Sequence, residues 1–365
     1  MKMQNYLFPK ATLALAALVV WVGALPSARA KKPVNRIVAS VPVGTAPWGV
    51  VVSPDSSTVY VANLGTPGTI SVIHAATNTV KFVISTDLYP TGLAISPDGS
   101  TLYALCDLGI TVDVISTVTK TVTSKVSVHP DNPAEGTGSI TLSPDGSQLY
   151  YPVGNSIFVI DTSTHAVSTI SLGTDLSLAS QVVFTANGAN AYVVGFSPGG
   201  LGVLSLIDTA SRSLISTQNI GGTNSLGIAI NPAAGKLYIS SSVGENGAIV
   251  CKITTVDTAT DRVLSRSILP AVVTENGLAL TNDGKYLYVN GFPENGVEKV
   301  YTVDTTTGER VGEPLTVPGE PFWPIAMAPN SKRGYLSCNL GPTTNGVVTV
   351  VDVKEEGRGN SQGEQ

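Results

Sequence analysis

Histidine and cysteine are scarce in this chain, with three of each in 365 residues. That leaves little material for a soft-metal centre or a disulfide scaffold. Charge is also low: Asp, Glu, Lys and Arg make up 13% of residues, about half the usual ~25%. No phosphate-binding loop, dinucleotide fingerprint or Gly-x-Ser-x-Gly nucleophile elbow occurs. Hydrophobic residues reach 42%, which excludes global disorder, and the 37 Gly and 23 Pro are spread along the chain.

Only one long apolar run exists, at the N-terminus. Lys2 and Lys10 precede an uncharged stretch from Ala11 to Leu25, and Ala28-Arg29-Ala30 has the small-x-small form of a cleavage site. The run is about 15 residues, short of the ~20 needed to span a bilayer. Residues 1–30 are therefore expected to be a cleaved signal peptide, with the protein periplasmic or secreted and without a transmembrane segment. The lack of any Asn-x-Ser/Thr sequon favours a bacterial envelope. Loss of Lys2, Lys10 and Arg29 moves the net charge from −5 to −8. Such a chain repels phosphate backbones, so nucleic acid is not an expected partner.

What fills the rest is repetition. A strand motif recurs at Tyr60, Tyr103, Tyr150, Tyr192, Tyr238, Tyr288 and Tyr335, at intervals of 42 to 50 residues. Before each tyrosine comes a turn such as Ser96-Pro97-Asp98-Gly99 or Thr281-Asn282-Asp283-Gly284, in which Pro presets φ and Gly accepts a positive one. After it comes a third strand ending in a corner such as Ile160-Asp161-Thr162 or Val303-Asp304-Thr305, and then a fourth strand. Seven such units predict an all-β, seven-bladed β-propeller over 31–353, four antiparallel strands per blade. The last copy lacks its fourth strand, while 36–41 reads as a strand without a blade. Pairing the two would close the ring, leaving 354–365 as a disordered polar tail.

The Ser-Pro-Asp-Gly turns, the Tyr-Val-Ala-Asn run at 60–63 and the Val-Ile-Asp-Thr corners resemble the YVTN-family propeller repeat. WD40 is disfavoured because no Gly-His…Trp-Asp pairs occur. The resemblance implies a periplasmic or surface binding protein, or a neighbour of quinoprotein and amine-dehydrogenase systems. Related seven-bladed propellers include lactonases. The family motif carries no catalytic residue.

Candidate site residues follow from the fold. In a propeller, the loops before the innermost strand and between the second and third strands gather at one mouth. Aligned repeats put Trp48, Thr91, Gly138, Ser180, Leu226, Asn276 and Trp323 at the start of the innermost strands. Trp48 and Trp323 fall in neighbouring blades and could clamp a planar or cationic ligand. The segment 129–136 brings His129 near Asp131 and Glu135, and Asp107 could join them as acid, base or hard-cation ligand. Phe292 lies in the mouth loop 291–296, and 241–247 is expected to be another such loop. His74 and His165 fall on the opposite face, so a histidine metal triad is not expected, and no metal or cofactor is assigned. The cysteines are expected to be buried free thiols. The reading is of a monomeric binding or scaffold protein engaging a protein partner or small ligand through the mouth; a lactonase- or lyase-like enzyme, or a quinoprotein-associated subunit, is the alternative.

Overall fold

The computed structural model describes residues 33–355 except 107, 109, 129–138, 232, 246–247, 270–271, 293–297, 322–324 and 342–343. Among the described residues there are seven four-stranded antiparallel sheets and no helix. They are the blades of a propeller: blade 1 spans 47–85, blade 2 93–127, blade 3 141–171, blade 4 178–219, blade 5 223–269 and blade 6 272–316. Blade 7 takes three strands from 326–355 and its outermost strand from Pro33–Thr45. That strand pairs antiparallel with Asn345–Glu355, from Pro33 opposite Glu355 to Thr45 opposite Asn345. It is longer than the 36–41 segment expected from sequence, and its partner runs two residues past 353. The pairing removes both open ends of the ring, where unpaired strand edges would otherwise invite other chains.

Each turn of the repeat is closed by its own side chains. In blade 2, Ser96 Oγ donates to Asp98 Oδ1 at 2.5 Å, and the Ser100 amide donates to the same oxygen at 3.0 Å. Blades 1 and 3 repeat this with Ser53–Asp55 and Ser143–Asp145. Where the repeat has glycine the backbone is left-handed, as at Gly99 (φ +73°) and Gly146 (φ +75°). Blades 1 and 7 lack that glycine, and Ser56 and Ser331 adopt the same conformation, with φ of +61° and +55°. The third-strand corner then docks on this turn: Thr117 Oγ1 donates to Gly99 O at 2.7 Å and Thr162 Oγ1 to Gly146 O at 2.8 Å. Both turns therefore lie on one face, and the mouth lies on the other.

The apolar core is divided among the seams between blades. Tyr60, Ile70 and Val72 of blade 1 pack with Leu93, Leu102 and Ile115 of blade 2, and the other six clusters likewise draw on two adjacent blades each. The repeat tyrosines are buried in these seams. Tyr192 of blade 4 donates its hydroxyl to Asp261 Oδ1 of blade 5 at 2.6 Å. A single blade cannot bury both faces of its sheet, so only the ring is stable.

Candidate functional site

Four of the seven aligned mouth positions share a backbone feature that sequence did not reveal. The pairing of innermost and second strands shifts register between Pro47 and Val50, Ala179 and Gln181, Thr223 and Gly227, and Val273 and Leu278. Trp48, Ser180, Leu226 and Asn276 each fall inside one of these shifts. Bulges lift residues out of the ladder and re-aim them, and they concentrate beside functional sites. The bulge also lets blades touch: the Gly49 amide donates to Thr91 O of blade 2 at 3.0 Å. A Cβ on Gly49 would stand 2.3 Å from that oxygen, so this position needs glycine.

Trp48 is half-buried, and its carbonyl accepts a 2.5 Å hydrogen bond from Ser337 Oγ of blade 7. Asn276 lies midway along the innermost strand of blade 6, not at its start, and Phe292 ends the second strand at the mouth. Trp323, His129, Asp131, Glu135 and Asp107 lie outside the described residues. The two other histidines are on the turn face, as expected. His74 ends the third strand of blade 1, and His165 occupies the left-handed corner of a turn (φ +61°). Cys106, Cys251 and Cys338 are free and buried, and burial pushes the Cys338 thiol up to about 11. Among the described residues no group of three His, Cys, Asp or Glu side chains is placed to hold a metal.

One expected loop is different. Segment 241–247 is not a mouth loop over most of its length, because Ser241–Glu245 continue the second strand of blade 5. They pair with Ala248–Lys252, and the partner position of Ser242 is Cys251, which is fully buried. That apolar anchor extends the hairpin.

Sequence reasoning missed three ionisable groups buried in the seams toward the mouth. Asp113 lies between blades 1 and 2, with 0% exposure; its Oδ2 accepts the Asp87 amide at 2.9 Å, and burial raises its pKa. Lys252 lies between blades 4 and 5, where burial lowers its pKa. Glu298 lies between blades 6 and 7 at 6% exposure, and neither carboxylate oxygen has a hydrogen-bond partner. Burial, with the nearby Glu320 charge adding to it, pushes Glu298 up to about 8. Asp113 and Lys252 are charged residues interrupting an apolar third strand, and that interruption was the available signal for them; Glu298 precedes its third strand beside Lys299 and gave no such signal.

Fold and site together define a seven-bladed β-propeller with a polar mouth. No family model matches the chain, and no curated protein matches it. Solved structures do. A chain of Kuenenia stuttgartiensis hydrazine synthase is similar at 18% identity and a TM-score of 0.72, over 92% of this chain and all of that one. The β-propeller domain of Myceliophteria thermophila Cps50 (Swd1) is similar at 14% identity and 0.70, over 88% and 100%. At these identities the likeness concerns the fold alone.

Proposed function

We propose that this protein is an exported binding or scaffold propeller that engages a protein partner or small ligand through its mouth face. The observation that carries this is the asymmetry between the two faces. On the turn face, the carboxylates of Asp55, Asp98, Asp145 and Asp161 accept hydrogen bonds from hydroxyls and amides of their own turns. Toward the mouth, buried polar atoms are left without a partner, among them Asn63 Oδ1 and both Glu298 oxygens. Such atoms are costly unless something else satisfies them. The leader-like segment 1–30 supports export.

The test is site-specific photocrosslinking in the native host. A crosslinker at Trp48 should trap a defined species, and one at Ser147 on the turn face should not. Equal capture from both faces, or none from Trp48, would remove this reading. A second reading is favoured by Glu298 alone: a carboxyl protonated at neutral pH beside Cys338 and Glu320 can act as a general acid in a lactonase-like reaction. It requires lactone turnover that is lost in Glu298→Gln.

A further inference from the structure

We propose that the mouth end of the seam between blades 4 and 5 is a binding site for a small singly charged anion, held by Lys252, Ser241 and Thr254. The site is distinct from the innermost-strand positions and does not rest on the partner-binding reading.

Ser241 and Lys252 are directly opposite each other on the second and third strands of blade 5, so their side chains leave the same face of the sheet. Thr254, two residues along, leaves that face too. It is the face turned to blade 4: Ile239 and Val256, which share it, pack with Tyr192 and Leu204 of that blade. Lys252 Nζ donates to Ile220 O at 2.9 Å, on the connection between the blades. The ammonium has two further protons, and no carboxylate among the described residues pairs with it. Arg266, opposite Thr254, adds positive charge.

The hydroxyls complete the arrangement. Ser241 and Thr254 are each 1% exposed, and neither hydroxyl oxygen has a hydrogen-bond partner. Lys252 is 7% exposed. Three buried side chains thus offer protons on one face, and only the Ile220 carbonyl takes one. A donor-rich, carboxylate-free cluster around a buried ammonium suits an anion, since burying a lone charge is otherwise costly.

The connection that covers the cluster is Gly221-Gly222, with φ of +66° and +85°. A Cβ on Gly221 would stand 3.5 Å from Lys252 Nζ, and one on Gly222 would stand 2.5 Å from Ser241 Oγ. At Gly222 the backbone therefore passes as close as glycine permits. Such close cover restricts the occupant to a halide, nitrate or a single carboxylate group and excludes a bulky multivalent ion.

The experiment titrates the purified full chain with sodium chloride, nitrate and acetate, at ionic strength held constant with the sodium salt of a bulky sulfonate. The expected result is a saturable rise in melting temperature with at least one of the three, and saturable heat in calorimetry. Lys252→Met should abolish both. Ser241→Ala, which removes one donor and keeps the lysine, should weaken binding about tenfold, the equivalent of one hydrogen bond. If Lys252→Met does not fold, Ser241→Ala decides alone. No saturable response in the native chain, or a response unchanged in whichever variant folds, overturns the proposal.

Discussion

The hydroxyl of Tyr288, in the second strand of blade 6, donates to Oδ1 of Asn35 at 2.8 Å. Asn35 belongs to the N-terminal strand that completes blade 7, and its Nδ2 donates to Thr302 Oγ1, also of blade 6, at 2.7 Å. One amide thus satisfies two buried side chains across the seam next to the ring closure. The tyrosine is the repeat's own; the asparagine stands where blades 2, 3 and 6 bring the side chains of Thr117, Thr162 and Thr305 toward Tyr60, Tyr103 and Tyr238 of the preceding blades.

Replacing this asparagine tests the closure. Asn35→Ala removes two hydrogen bonds at a part-buried site and is expected to cost about 2 kcal/mol. Denaturant unfolding should show a lower midpoint. Because the seam lies beside the strand that closes the ring, limited proteolysis should cut the variant first near that strand. A midpoint unchanged from the native chain would show that the strand is held by its backbone ladder alone.

The repeat turns predict acid sensitivity. The Ser96 hydroxyl and the Ser100 amide hold Asp98 down at about 2. Asp55 and Asp145 are lowered in the same way by Ser53 and Ser143. A carboxylate with a depressed folded-state pKa adds stability above its unfolded value near ~3.9, and that stability is lost as pH falls toward the folded value. Melting temperature should therefore drop between about pH 4 and pH 2. Asp55→Asn, Asp98→Asn and Asp145→Asn combined should make that drop smaller; an identical drop would assign acid unfolding to other groups.

Glu298 has the opposite sign. Burial holds its folded pKa at about 8, above the ordinary 4.5, so the folded state prefers the neutral acid. Its contribution is fully present below the unfolded pKa and is lost as pH rises through the folded one. The native chain should lose melting temperature from about pH 5 to pH 8, while Glu298→Gln should stay flatter over that window. Parallel curves for the two proteins would contradict the burial of this carboxyl.

Sequence alone determined the architecture, because every blade spells out its own turns. Proline, aspartate and glycine at fixed offsets act within a few residues, as the Ser96–Asp98 bond shows, and seven copies count seven blades. The ring closure was legible for the same reason: a strand was missing at one end and spare at the other. What tertiary structure decided lies between blades. The register shifts around Trp48 and Asn276 depend on neighbouring strands meeting at the centre, as in the contact of Gly49 with Thr91. The burial of Asp113, Lys252 and Glu298 is likewise set by seams. In one dimension each is one charge in or beside a strand; only packing two sheets together takes it out of water and gives it chemistry.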